Sequence, residues 1–176
     1  MLDDIESGEI TYIEPFLGSG ALFLNLEPEK WIINDLNKDN INIWKCIKKE
    51  HSKIITEFKK FGKMFKPKSR ENKIKYCKEQ VKKIESMEYD YKRASLFLLM
   101  KFCSYMGDIL KNNKFMFNGL DLNIDSKEIY TFIKPEYYNL LEDVSEYLNE
   151  SSGKIYNKDY TYILDKAKKE KNTPKI

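Results

Sequence analysis

Short apolar runs alternate with amphipathic stretches along the first 50 residues. Residues 10–13 form a β-branched and aromatic run that stops at Glu14 and Pro15, which predicts a buried strand leading into a loop. A glycine loop, an apolar helix beginning at Ala21 and a second strand at residues 31–34 follow, and Asn37 or Asp39 is expected to cap the next helix. This order predicts a βαβα unit, and such units build parallel sheets.

Helical periodicity continues beyond residue 50. Three further helices are predicted, at residues 54–61, 74–84 and 91–102, with a break near Pro67. Residues 107–134 have the composition of loops with short extended pieces. The remaining predicted elements are a helix at 135–148, a break at 151–153, a strand at 154–157, a helix at 162–170 and a strand beginning at Ile176.

The composition limits the class of protein. With 176 residues, 41% hydrophobic and 14% aromatic, the chain is expected to fold as one body with an appendage. No apolar run approaches the roughly 20 residues of a membrane helix, and the acidic start is unlike a secretion signal, so we expect an intracellular protein. Cys46, Cys77 and Cys103 lack a paired spacing and are expected to be buried thiols. The single histidine, His51, is expected at the surface, which argues against Ser-His or Cys-His catalysis.

Charge is unevenly distributed along the chain. The net charge is +3, but residues 45–92 hold 16 basic and 7 acidic side chains, while the rest holds 15 basic and 21 acidic. A solvated lysine-rich helix face explains this excess, and so does a surface that faces nucleic acid. Charge alone leaves both interpretations open.

The loop between the first strand and the first helix carries the clearest chemical signal. Gly18 and Gly20 allow close approach of the backbone to a ligand, and Glu14 and Asp35 end the two flanking strands. An acid at the second of these points can bind ribose hydroxyls. Because Phe23 stands where a dinucleotide motif has its third glycine, a pyrophosphate cradle is disfavoured. A ligand with an amino-acid cation near Glu14 and a ribose near Asp35 suits the loop better.

These residues carry a family resemblance. Residues 12–24 read Tyr-Ile-Glu-Pro-Phe-Leu-Gly-Ser-Gly-Ala-Leu-Phe-Leu and residues 33–37 read Ile-Asn-Asp-Leu-Asn. The two segments resemble the cofactor motif and the ribose-binding acid of Dam-type (D12 class) DNA adenine N6-methyltransferases. Residues 93–101 resemble the family helix that leads into the DNA-contacting region, and residues 155–160 resemble its adenine-pocket motif. The resemblance covers nearly the whole chain.

The resemblance implies an α/β chain with a partial Rossmann-like S-adenosylmethionine-dependent methyltransferase fold and a mostly helical DNA-recognition insertion. Residues 1–49 and 150–176 would form the incomplete cofactor-binding domain, and residues 50–149 the target-recognition insertion. The implied reaction is methyl transfer from S-adenosylmethionine to adenine N6 in double-stranded DNA. No metal is implied.

The family's site residues carry over onto matching positions. Gly18 and Gly20 would face the methionine part of the cofactor, Asp35 its ribose and Asp159 its adenine. Taken alone, Asp159 is nearly as well explained as a cap of the following helix, and the two roles are compatible. The expected cofactor-binding set is Glu14, Pro15, Phe16, Gly18, Gly20, Asp35, Asp159 and Tyr160. The expected DNA-binding set is Lys101, Tyr105, Lys111 and Lys114.

The sequence also departs from the family pattern. Met106 and Leu110 occupy the Asn and Arg positions of an Asn-Gly-Leu-x-Arg run, so sequence-specific base reading is not expected there. Neither the Lys-Trp-x-Gly-Gly-Lys stretch nor the catalytic Asp-Pro-Pro-Tyr tetrapeptide occurs, and no residue is assigned a catalytic role. We therefore expect an amino-terminal fragment or split form that needs a second chain or downstream segment and is inactive alone.

Three alternatives stay open at this point. The first is an inactive methyltransferase remnant that binds DNA through its basic helical insertion. A nucleotide-dependent oxidoreductase is disfavoured by the absent third glycine, and an RNA methyltransferase by the long insertion.

Overall fold

The computed structural model describes residues 2–111, 114–117, 119–120 and 134–169. The helices are α1 (Leu2–Glu6), α2 (Ala21–Leu26), α3 (Lys38–Phe65), α4 (Arg70–Ile84), α5 (Tyr91–Cys103), α6 (Pro135–Glu150) and α7 (Tyr160–Lys169). The strands are β1 (Tyr12–Glu14), β2 (Lys30–Asn34), β3 (Leu110–Lys111), β4 (Lys114–Phe115) and β5 (Ser152–Tyr156). A 3-10 turn covers Tyr105–Gly107.

The chain divides into two compact units, one from residues 1–49 and 143–176 and the other from residues 50–142. In the first unit, β1, β2 and β5 form a parallel sheet with β2 in the centre. Helices combined with a parallel sheet agree with the predicted α/β class. Helices α3 and α6 continue from one unit into the other, and α3 is kinked at Glu50, where φ is −144°. The roles assigned to the two segments stay predictions.

Trp31 explains why β5 begins earlier than predicted. Gly153 pairs in register with Trp31, and a Cβ atom on Gly153 would lie 1.9 Å from Cδ2 of the Trp31 ring. The indole N–H donates to the hydroxyl of Ser151 at 2.7 Å. The expected break across residues 151–153 was therefore wrong for Ser152 and Gly153. Glycine is needed there because the ring of Trp31 occupies the space of a side chain.

Phe23 forms the centre of the core in the first unit. Its fully buried ring lies 5.2 Å from the ring of Trp31, 5.9 Å from that of Trp44 and 5.5 Å from that of Tyr147, measured between centroids. These contacts join α2 to β2, α3 and α6. The glycine loop before α2 is thereby anchored at its helical end.

The second unit is built from helices whose apolar faces pack together. The predicted break near Pro67 is confirmed, since α3 ends at Phe65 and α4 begins at Arg70. The buried guanidinium of Arg93 donates to the carbonyls of Ile84 and Met87 and so satisfies the carboxyl end of α4. The fully inaccessible side chains among the described residues of this unit are Ile54, Phe58, Phe65, Cys77, Ile84, Met100 and Cys103.

Several smaller expectations have a clear outcome. All three cysteines are buried, as predicted, and His51 is partly exposed. Helix α1 was not predicted, and α7 begins two residues earlier than expected. The predicted helix end at Glu170 and the strand expected at Ile176 lie outside the described residues. Among the described helices, none is long and apolar enough to cross a membrane.

Candidate cofactor site at the carboxyl edge of the sheet

The three parallel strands bring their carboxyl ends to one edge of the sheet. Strand β1 ends at Glu14, β2 at Asn34 and β5 at Tyr156, and a loop follows each strand. Ligands of open α/β sheets bind at this edge, in the crevice between such loops.

Asn34 ties the three loops together. Its side-chain amide donates to the Pro15 carbonyl at 2.9 Å and to the Lys158 carbonyl at 3.0 Å, and its side-chain oxygen accepts from the Lys158 N–H at 2.9 Å. Its backbone carbonyl accepts from the Leu17 N–H at 2.8 Å, and the residue is 1% exposed. Sequence reasoning missed Asn34, because an asparagine at a strand end gives no sign of its distant partners.

Asp35 is already engaged by the glycine loop. One carboxylate oxygen, Oδ2, accepts from the Gly18 N–H at 2.8 Å and from the Asn40 amide at 3.2 Å, while Oδ1 accepts from the Asn37 N–H at 2.7 Å. A carboxylate oxygen accepts about two hydrogen bonds, so Oδ1 retains capacity for one more. Asp35 can therefore bind one hydroxyl group without releasing the loop.

Asn37 and Asn40 fix the start of α3 beside this carboxylate. The Asn37 side-chain oxygen accepts from the backbone N–H groups of Asp39 at 2.9 Å and Asn40 at 3.1 Å, so Asn37 rather than Asp39 caps the helix. The Asn40 amide also donates to the Gly18 carbonyl at 2.6 Å. Asn40, which the sequence did not single out, holds both sides of the loop in place.

The two glycines of the loop serve different purposes. Both have positive φ, 54° for Gly18 and 74° for Gly20. A Cβ atom on Gly20 would lie 2.2 Å from Cζ2 of Trp44, whereas a Cβ atom on Gly18 would meet nothing within 4 Å. Gly20 therefore makes room for the core, and only Gly18 presents open space to a ligand.

Glu14 is held by two donors. The Tyr12 hydroxyl donates to Glu14 Oε2 at 2.8 Å, and the backbone of Phe23, in the first turn of α2, also hydrogen-bonds the carboxylate. Burial raises the pKa of Glu14, and the two hydrogen bonds act in the opposite direction. The carboxylate is thus fixed at the amino end of α2, where the helix dipole favours its ionised form.

Phe16 and Tyr160 form an open aromatic pair across the crevice. Their ring centroids are 5.4 Å apart with planes inclined by 34°, and the residues are 71% and 44% exposed. Asp159 Oδ1 accepts from the Thr161 N–H at 3.0 Å and from its hydroxyl at 2.6 Å, which lowers the pKa of Asp159. The capping interpretation of Asp159 is confirmed, and its adenine-binding role stays a prediction.

The residues expected to contact DNA fall at the end of α5 and in the β3–β4 hairpin. Lys101 is in the last turn of α5, and Tyr105, which is 49% exposed, starts the 3-10 turn. Lys111 and Lys114 are register partners in the hairpin. The ring of Phe115 lies 6.1 Å from that of Phe97, which holds β4 against α5.

Met106 has a backbone conformation that suits another residue type. Its φ is 54°, in the left-handed region, and it is 81% exposed. Glycine and asparagine adopt this region far more readily than methionine does. Asparagine, which the family pattern has at this position, would fit the same backbone with less strain.

Comparisons with known proteins identify the family of this chain. Over residues 2–173 the chain matches the model of a family described as D12 class N6 adenine-specific DNA methyltransferase. It is 30% identical over 161 residues to the Type II methyltransferase M1.LlaDCHI of Lactococcus lactis subsp. cremoris, covering 89% of this chain and 52% of the relative.

Other relatives carry the name DNA adenine methylase. The chain is 34% identical over 108 residues to the one from Vibrio cholerae serotype O1 strain O395, covering 61% of this chain and 33% of the relative. It is 28% identical over 123 residues to the one from Escherichia coli K12, covering 67% of this chain and 42% of the relative. The chain spans about half the length, or less, of the curated relatives it matches.

Proposed function

The chain belongs to the D12 class of N6 adenine-specific DNA methyltransferases, and on this basis we propose that it binds S-adenosylmethionine at the carboxyl edge of its sheet. The reaction it serves is methyl transfer to adenine N6 in double-stranded DNA. The parallel sheet is proposed to be part of a Rossmann-like methyltransferase core. Residues 50–142 are proposed to form the target-recognition unit.

One observation carries this proposal. The side chain of Asn34 connects the loop after β1 with the loop after β5, and Asp35 binds the glycine loop from the strand between them. The three loops therefore form one hydrogen-bonded crevice. A crevice fixed in this way before the ligand arrives is suited to a small molecule with several separate polar groups.

The residues present fit the cofactor. Gly18 offers an open backbone surface for the methionine part, and the Glu14 carboxylate would pair with the cofactor's ammonium group. The remaining acceptor position of Asp35 Oδ1 would take a ribose hydroxyl. Asp159 Oδ2 makes no hydrogen bond within the described part of the chain, so it is a suitable acceptor for the adenine amino group. The exposed rings of Phe16 and Tyr160 would flank the adenine.

When bound, S-adenosylmethionine supplies an electrophilic methyl group. The residues of this chain would position it: the Glu14 carboxylate fixes the amino end, Asp35 fixes the ribose, and the aromatic pair excludes water from one side. Orientation of this kind contributes a large part of the rate enhancement when two reactants must be aligned. The 176 residues contain no Asp-Pro-Pro-Tyr tetrapeptide to hold a flipped adenine.

Cofactor affinity tests the proposed site directly. We expect Gly18→Leu to abolish S-adenosylmethionine binding in isothermal titration calorimetry, because the leucine would fill the open space above the loop. Gly18→Ala imposes the same positive-φ strain without the bulk and serves as its control. Asp35→Asn should weaken binding about tenfold, since it removes a charged acceptor worth roughly 1.5 kcal/mol or more. Asp165→Asn, an exposed carboxylate of α7, should leave affinity unchanged. Equal affinities for all four variants would refute the site.

The prediction that this polypeptide transfers no methyl group by itself needs its own assay. Purified protein would be incubated with labelled S-adenosylmethionine and mixed-sequence duplex DNA, and we expect no incorporation above background. Incorporation above background would contradict this prediction. Cofactor binding is measured separately, so the two results are independent.

A further inference from the structure

A strongly basic segment joins α3 to α4. Residues 59–70 contain six basic side chains and no acidic one. These basic residues are Lys59, Lys60, Lys63, Lys66, Lys68 and Arg70. None of them belongs to the set that the family resemblance assigns to DNA.

Three of these lysines line one cleft. The cleft has a volume of about 410 Å³ and is lined by Lys59, Gly62, Lys63, Lys66, Pro135 and Tyr138, all within the helical unit. Lys59 and Lys63 lie four residues apart on one face of α3, and Lys66 follows directly after the helix end, where its N–H still donates to the Gly62 carbonyl at 3.2 Å. At 1.5 Å per residue they extend over about 10 Å. We call this feature the lysine cleft.

The lysine cleft has a different charge environment from the neighbouring helix surface. Lys53 and Lys60 lie 2.5 Å and 2.8 Å from the carboxylates of Glu50 and Glu57. None of the lining residues that the structure describes is acidic. The ammonium group of Lys59 lies 5.0 Å from the centre of the Tyr138 ring. Gly62, between Lys59 and Lys63 in the chain, adds no side chain to the lining.

We propose that the lysine cleft binds the phosphate backbone of duplex DNA, as a contact separate from Lys101, Tyr105 and the β3–β4 hairpin. This inference rests on the proposed function, in which DNA is the partner. Each strand of B-DNA carries one phosphate per about 3.4 Å of axis, so a lysine row of about 10 Å faces about three of them.

The chemistry of the lining favours phosphates over bases. Lysine binds phosphate as a compact point charge, and the described lining of the cleft holds no arginine fork and no side-chain amide to read a base edge. The Tyr138 hydroxyl is a hydrogen-bond donor that suits a phosphate oxygen, and burial raises its pKa above the ordinary value. The contact should therefore add affinity without sequence preference.

The salt dependence of DNA binding tests the lysine cleft. The combined variant Lys59→Gln, Lys63→Gln, Lys66→Gln would be compared with the unaltered protein by fluorescence anisotropy on a mixed-sequence duplex at several salt concentrations. Each lost phosphate contact lowers the slope of log K against log salt by about 0.9, so we expect a decrease of roughly 2 to 3. The matched control is Lys75→Gln, Lys78→Gln, Lys82→Gln, which removes the same charge from exposed positions of α4. Circular dichroism checks that both variants fold.

Each outcome has a distinct meaning. If the slope of log K against log salt falls in the cleft variant and stays near the original value in the control, the lysine cleft contacts DNA phosphates. Equal slopes in both variants overturn the lysine cleft and leave DNA as the partner. An unaltered protein that does not bind duplex DNA overturns both the cleft and the DNA part of the proposed function. If the cleft variant bound phosphatidylserine vesicles more weakly than the unaltered protein does but bound DNA equally well, the partner of the cleft would be a lipid surface and not DNA.

Discussion

Asn34 and the backbone of Lys158 form a reciprocal pair of hydrogen bonds, in which the side-chain amide donates at 3.0 Å and the side-chain oxygen accepts at 2.9 Å. These two bonds resemble the hydrogen bonds between paired strands and continue that pattern beyond the end of β2. Its second amide hydrogen reaches the Pro15 carbonyl. Three segments that are distant in sequence are held by one buried carboxamide.

Asn34→Ala should destabilise the protein and loosen the crevice. The change leaves up to three backbone groups without their partner, at about 1–3 kcal/mol for each that stays buried, so a loss of roughly 2–4 kcal/mol is expected. Urea unfolding measures the stability and isothermal titration the affinity for S-adenosylmethionine. Asn25→Ala removes one exposed hydrogen bond to the Ala21 carbonyl and should cost about 0.5 kcal/mol or less. Similar losses for the two variants would show that Asn34 has no special role.

The two loop glycines should respond differently to alanine. Gly20→Ala places a methyl group against Trp44 and should cost about 2 kcal/mol or more in unfolding free energy. Gly18→Ala meets no neighbouring atom and should cost only the positive-φ penalty of about 1 kcal/mol. In a protein that already carries Trp44→Leu, Gly20→Ala should cost less unfolding free energy than it does in the unaltered protein, because the ring that the methyl group would meet is gone. Additive effects of Gly20→Ala and Trp44→Leu would contradict the steric explanation.

Met106→Asn should stabilise the protein. Asparagine tolerates the left-handed conformation that Met106 adopts at φ 54°, so relief of strain should contribute about 0.5–1 kcal/mol and raise Tm by a few degrees. Differential scanning calorimetry measures the change. Met116→Asn, at another partly exposed methionine without positive φ, is the control and should give no stabilisation. A lower Tm for Met106→Asn would mean that the methionine side chain makes a contact that outweighs the strain.

Tyr12→Phe should shift the pH dependence of cofactor binding. The Tyr12 hydroxyl lowers the pKa of Glu14 by donating to its ionised form, while burial raises it. Without the hydroxyl, the pKa of Glu14 rises further and its carboxylate ionises only at higher pH. Because the cofactor's ammonium group would pair with the ionised form, the midpoint of the affinity profile should move upward, as calorimetry at several pH values would detect. Tyr162→Phe, on the exposed surface of α7, should leave the midpoint in place.

Glu14 should also make the free energy of unfolding depend on pH. The pKa of Glu14 is raised on folding, so its contribution to stability is fully present below the ordinary pKa of glutamate and is lost as pH rises through the higher folded value. In Tyr12→Phe the loss of stability should continue to higher pH, because the pKa of Glu14 rises further. In Glu14→Gln the loss should be absent, because the titrating group is gone. Urea unfolding at several pH values should show the steepest decline for Tyr12→Phe. A decline unchanged by Glu14→Gln would assign it to other groups.

The sequence by itself determined most of the succession of helices and strands in the chain. Local patterns sufficed for α2, α4, α5 and the break at Pro67, because helix periodicity and proline act within a few residues. The family motif identified Glu14, the glycine loop and Asp35, because these residues are close together in the chain.

Only the tertiary structure decided which residues hold the crevice and which glycine faces it. Asn34 and Lys158 are separated by 124 positions, and Trp44, which lies in α3, occupies the space beside Gly20. The strand status of Gly153 depended likewise on the ring of Trp31, 122 positions away. A hydrogen bond or a packing contact between distant segments leaves no local periodicity, since its energy depends on the shape of the folded chain and not on the residues beside it.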